Sequence, residues 1–154
     1  MFKNLFTFFC ESSSVDGSDG KLSAYKFFED FSVPVEFEDK VHKGAMLQFR
    51  FDLVSSWLIS DPSSRPIKLS TVKKVINPDG EKIGEIVAPL ELAANQIRFN
   101  IRDNISALPI KGYGDYTMEL TLSEEGKTVG RVRYPFRVVP SQASVSARGG
   151  DGLL

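Results

Sequence analysis

The sequence predicts an all-β protein, an immunoglobulin-like antiparallel β-sandwich of about seven to nine strands with at most one short helix. Three observations carry this reading. Apolar residues recur with period two in four separate segments, turn chemistry punctuates the chain every dozen residues or so, and no sustained helical periodicity lies between.

The alternation is explicit. Ala45, Leu47, Phe49, Phe51 and Leu53 alternate with Met46, Gln48, Arg50 and Asp52. In a pleated strand this sends the apolar set to one face, whereas a helix would scatter it. Ile97, Phe99 and Ile101 repeat the pattern, as do Tyr116, Met118, Leu120 and Leu122, and then Val132, Tyr134, Phe136 and Val138. Asn77-Pro78-Asp79-Gly80 supplies a fixed φ at Pro and a positive φ at Gly, so it should close a hairpin between 69–76 and 82–87. Glu124-Glu125-Gly126-Lys127 should close another before the last strand. The polar stretch from Ser12 to Gly20 reads as the flexible loop of a third hairpin joining 5–10 to 22–28, with Pro34 marking the exit from its second strand. The best helix candidate is 89–96, which could equally extend a strand, because an isolated helix so short is marginal. The domain is placed at 1–139, and the Ser-, Gly- and Ala-rich residues 140–154 read as a flexible tail.

The chain has 154 residues, 42% apolar, with 19 Lys and Arg against 20 Asp and Glu. That length suits one domain with a real core. A net charge of -1 provides no long-range attraction to polyanions, so neither nucleic acid nor an anionic membrane is an expected partner. No apolar run reaches the ~20 residues of a membrane helix. The opening ten residues are apolar but broken by Asn4 and Thr7 and lack a small-residue cleavage site, so the expected location is cytoplasmic. The one cysteine, Cys10, allows no internal disulfide and fits a reducing compartment.

Gly112-Tyr113-Gly114-Asp115-Tyr116 opens a strand at the point where sandwiches often place a tyrosine that hydrogen-bonds back across a corner, and Tyr116 is the candidate, with an ordinary core aromatic as the other reading. Phe8-Phe9-Cys10-Glu11, an acidic glycine-containing loop, Gly20-Lys21-Leu22-Ser23 and an aromatic strand ending at Pro34 come first in the chain. Val75-Ile76-Asn77-Pro78-Asp79-Gly80, Gly114-Asp115-Tyr116-Thr117 and Phe136-Arg137-Val138 follow. Together these resemble an uncharacterised family of bacterial immunoglobulin-like domains over most of 5–139. The resemblance implies the fold and brings no activity.

Chemistry is sparsely provisioned. His42, the only histidine, lies in a charged loop, and Cys10 reads as a small buried hydrophobe. With at most two Cys or His ligands, a zinc site is not expected. Glu11, Asp16 and Asp19 could gather a calcium ion, yet they lack the spacing of a dedicated loop and read better as a solvated hairpin tip. Glu36, Glu38 and Asp39 read as an exposed acidic edge. Gly112-Tyr113-Gly114 lacks the glycine and helix of a phosphate loop. No catalytic residue, metal or cofactor is expected.

Two surface features stand out. Residues 1–40 hold eight acids and four bases, a balance of -4, while 41–154 hold twelve acids and fifteen bases, a balance of +3. On the last strand Arg131, Arg133 and Arg137 share the outward face, and with Arg98 and Arg102 they could form a basic stripe unless Glu119 pairs across to them. Phenylalanines crowd the first 37 residues. The adjacent pairs Phe8-Phe9 and Phe27-Phe28 cannot both face one side of a strand, so an exposed apolar patch or a second packed layer is expected there. The chain is therefore read as a non-enzymatic protein-binding or assembly module. Its partner is another protein or a second copy, met through Phe8, Phe9, Phe27 and Phe28 with the arginine strand as a secondary contact. The alternatives are a small hydrolase-like enzyme using loop carboxylates and a structural subunit of a phage or secretion machine.

Overall fold

The structure is a computed structural model that describes residues 2–141. Nine strands form two packed sheets. In chain order they are β1 (Phe2–Val15), β2 (Leu22–Phe28), β3 (Asp30–Val33), β4 (Ala45–Ile59), β5 (Ile67–Ile76), β6 (Lys82–Leu92), β7 (Arg98–Ile110), β8 (Gly114–Glu124) and β9 (Lys127–Pro140). One sheet has the order β2-β1-β4-β7 and the other β3-β9-β8-β5-β6. Every pairing is antiparallel except that of β3 with β9. The sandwich fold is as the alternation predicts. Strand β9 reaches Pro140, one residue past the expected boundary, and most of the expected tail lies outside the described residues.

Facing rows of the two sheets make the core. Phe9, Phe31, Phe51, Leu53, Tyr116 and Phe136 centre one cluster. Trp57, Phe99, Leu120 and Leu122 centre the other, where the Trp57 and Phe99 rings stack at 8°. The turns behave as their residues demand. Asn77 Oδ1 accepts from the N–H groups of Asp79 and Glu81 at 3.1 and 2.8 Å, and Gly80 takes φ +81°. Glu125 and Gly126 both have positive φ, as a two-residue hairpin requires.

Tyr116 forms the corner. Its Oη accepts from the Lys111 N–H at 2.7 Å and donates to the Gly112 carbonyl at 2.6 Å, with the ring buried against Phe136.

Three expectations need correction, and the open choice at 89–96 falls to strand for its first residues. Residues 89–92 are strand, since the edge of β5 offers Leu90 and Leu92 partners at Leu69 and Ile67, and an edge strand tolerates Pro89. The one helix among the described residues is a 3₁₀ segment, Val35–Lys43, between Pro34 and the positive-φ Gly44, anchored by buried Val41; it holds Glu36, Glu38, Asp39 and His42. Ser12 to Val15 continue β1, so the first loop is only 16–21. A register shift between Gln48 and Phe51 breaks the alternation of β4, leaving Phe49 40% exposed.

Candidate functional site

The first hairpin departs most from a plain sandwich. Pairing of β1 with β4 ends at Cys10 opposite Asp52, while pairing with β2 continues to Val15 opposite Leu22. The ladder skips the position of Glu11 and Lys26, and Lys26 adopts φ +53°, a left-handed conformation that costs a non-glycine residue energy. Past this kink the arm folds back over the outer face of its own sheet. Ser13 Oγ donates to Asp52 Oδ2 at 2.6 Å, Arg102 Nη2 donates to the Ser13 carbonyl at 2.7 Å, and the tip at Gly20 to Leu22 lies beside Phe6, Arg98 and Asn100. Cys10, Val54 and Ser56 are consequently buried although they alternate out of the core.

The paired phenylalanines divide as a pleat requires. Phe9 is fully buried at the centre of the aromatic cluster, 4.8–6.0 Å from five other rings. Phe28 packs against the same cluster beside Phe31 and Phe51. Phe9 is thereby closed to a partner, whereas Phe28 is half-buried and lines the clefts on both sides of Phe27. Phe8 and Phe27 point away from the core and meet edge-to-face at 4.5 Å, with Phe6 stacked on Phe8 at 5.6 Å. Phe27 is 67% exposed, and Tyr25, also on β2, is 60% exposed.

Phe27 stands between two open clefts. One, of about 410 Å³, runs past Lys26, Phe31 and Phe49; the other, of about 510 Å³, runs past Thr7, Phe8 and Tyr134. Strand β2 is the outermost strand of its sheet, so one side of its backbone has no ladder partner.

The arginine strand is less available than its sequence suggests. Arg133 Nε lies 2.9 Å from Glu119 Oε2 and Arg137 Nε 3.2 Å from Asp115 Oδ1, leaving Arg131 without an ion pair among the described residues. Arg98 and Arg102 belong to β7 in the other sheet, so no continuous basic stripe forms.

Cys10 and His42 are not brought together. Burial, reinforced by the Asp52 carboxylate, pushes the Cys10 thiol up and keeps it protonated, the opposite of what a nucleophile needs. His42 is exposed on the 3₁₀ helix with its ring 6.0 Å from Tyr113. Asp16 caps its own turn, accepting from the Ser18 N–H and hydroxyl, while Glu11 sits back in β1. Among the described residues no three His, Cys, Asp or Glu side chains stand close enough to share a metal ion. No helix among them is long and apolar enough to cross a membrane.

No family model matches the chain, and no curated protein does. Among solved structures it is similar to a β-glucuronidase of glycoside hydrolase family 2, with a TM-score of 0.43 and 11% identity over 69% of this chain and 12% of that one. It is also similar to the Pseudomonas fluorescens alkylpurine DNA glycosylase AlkC bound to DNA containing an abasic site analog, with a TM-score of 0.36 and 17% identity over 60% of this chain and 26% of that one. The chain thus spans a small part of each. Similarity at this level says nothing of what the chain binds.

Sequence reasoning also missed an ion pair inside the sandwich, between Lys73 of β5 and Asp103 of β7. The signal was available: Lys73 shares the parity of Leu69 and Val75, both of which face the core.

Proposed function

We propose that the protein is a non-enzymatic protein-binding or assembly module of the bacterial immunoglobulin-like type, acting in the cytoplasm through the exposed side of its first hairpin. The observation that carries this reading is Phe27, two-thirds exposed on a ridge between two clefts and next to the unpaired edge of β2. Covering that ring would gain about 1–2 kcal/mol from apolar burial alone. The open β2 backbone can accept an extended partner segment in the same contact. Phe8 and Tyr25 extend the surface; of the arginines, Arg131 is the one left to support it, because Arg133 and Arg137 already face acids.

The first partner to test is a second copy of the chain. Light scattering after size exclusion should show self-association that rises with concentration in the wild type and disappears in Phe27→Lys, whose circular dichroism stays unchanged. Photo-crosslinking from position 27 in the source cell covers a different protein partner. A wild type that stays monomeric and yields no crosslink from position 27 sinks the reading.

A further inference from the structure

Lys73 is placed where an apolar residue would be expected. It lies on the inward face of β5 between Thr71 and Val75, and its side chain is only 6% exposed. Its Nζ sits 2.7 Å from Asp103 Oδ2, across the gap between the sheets. An ammonium carries three N–H donors. Among the described residues the Lys73 side chain makes no other ion pair. Nζ is not among the fully buried polar atoms left without a partner, so its remaining donors face water, and a hydrogen-bond acceptor entering beside it would take the place of that water.

Lys73 lines a cleft of about 220 Å³ at the open side of the sandwich, where edge strands β6 and β7 approach each other. The walls are apolar, with Ile83 and Ile86 from β6, Met46 from β4, Ile105 and Pro109 from β7, and Met118 from β8. Gly84 permits the close approach at one end, since a Cβ there would come within 2.6 Å of Pro109 Cγ. Ile86 and Met46, both more than half exposed, stand at the rim. An apolar cavity of about 150 Å³ holds benzene in another protein, so this one suits a body of roughly nine heavy atoms.

The charges choose among such ligands. Two charged side chains line the cleft: Lys73, whose charge is cancelled by Asp103 behind it, and Glu85, which is held by Lys82 at 2.6 Å. An anion would enter beside the Glu85 carboxylate and compete with Asp103 for the ammonium, and a cation would meet that ammonium. A neutral acceptor avoids both penalties.

We propose that this cleft binds a small uncharged apolar molecule bearing one hydrogen-bond acceptor, such as an aryl or branched-alkyl carbonyl compound, with the acceptor on Lys73 Nζ. The site is independent of the Phe27 surface.

Three isosteric probes test it: acetophenone, its hydrocarbon analogue α-methylstyrene, and benzoate. Methyl-labelled methionine gives the readout, because two of the three methionines, Met46 and Met118, line the cleft. Acetophenone should shift both methyl signals saturably, roughly three- to tenfold more tightly than α-methylstyrene, as one added hydrogen bond implies, and benzoate should bind more weakly than either. In Lys73→Met the preference for acetophenone should vanish. Since that change leaves Asp103 unpaired, the double variant Lys73→Met/Asp103→Leu serves as well and should still bind the hydrocarbon. No saturable shift with acetophenone overturns the proposal. So does equal binding of acetophenone and α-methylstyrene, tighter binding of benzoate, or a preference that survives loss of Lys73.

Discussion

Arg102 and Ser13 stand 89 residues apart in the chain, yet the Arg102 guanidinium donates to the Ser13 carbonyl at 2.7 Å from Nη2 and to its hydroxyl at 3.0 Å from Nε. The two residues lie on β7 and β1, which are separated in the sheet by β4, so the contact exists only because the hairpin arm folds across the outer face. It acts as a latch. Both bonds are exposed to solvent, and their net worth is correspondingly modest, about 1 kcal/mol. Arg102→Ala should accelerate amide exchange in the paired segments 12–15 and 22–25 by about fivefold while leaving exchange in β8 unchanged. Equal acceleration in both regions would mean that the arm has no separate opening.

The same latch carries a pH dependence through Asp52. Burial pushes this carboxyl up, but the hydrogen bonds from Ser13 and Asn104 and the nearby Arg102 guanidinium outweigh it and hold the group below its ordinary value of 3.8. A carboxylate depressed in the folded state stabilises that state fully above the unfolded value, and the contribution is lost as pH falls through the folded one. Stability measured by urea should therefore decline below about pH 4. Asp52→Asn should flatten that decline while lowering stability at neutral pH. An unchanged slope in the variant would remove Asp52 from the account.

What was legible in the sequence followed from period and turn chemistry. Met118, Leu120 and Leu122 are buried as alternation requires, and Gly80 and Gly126 carry the positive φ their turns need. The division of Phe8 from Phe9 and of Phe27 from Phe28 followed from the pleat, although which member faced inward depended on pairing with β4. The fold-back of the arm was illegible because it arises from one backbone conformation at Lys26, a residue with no intrinsic preference for it. Lys73 was hidden by its type. A lysine on a strand is ordinarily read as outward, and only the tertiary position of Asp103 makes the inward rotamer tolerable.

Tyr116→Phe isolates the corner. Burial pushes this phenol up, so it stays neutral and keeps its proton for the Gly112 carbonyl. Removing one oxygen strips both the Lys111 N–H and that carbonyl of their partner, while the ring packing against Phe136 stays. The expected loss is about 2 kcal/mol, seen as a lower urea midpoint with an unchanged slope. A loss under about 0.5 kcal/mol would mean that water replaces the hydroxyl there.

Gly130→Ala asks how tightly the second core cluster is closed. Gly130 has ordinary negative φ, so the replacement brings no backbone strain and its effect is purely steric. The added Cβ would lie 2.9 Å from Trp57 Cζ3, 3.3 Å from Phe2 Cβ and 3.4 Å from Leu122 Cδ1. Trp57 is fully buried and stacked on Phe99, so the indole cannot swing aside without disturbing that ring, and Leu122 is equally enclosed. Overpacking of this kind costs about 1–3 kcal/mol. The drop in stability should come with a changed Trp57 fluorescence spectrum, since Trp57 is the only tryptophan. Trp57→Phe removes the Cζ3 atom that the new Cβ would meet most closely, so Trp57→Phe combined with Gly130→Ala should be less destabilised than the sum of the two single changes. Strict additivity would place the strain elsewhere than in the space shared by Gly130 and Trp57.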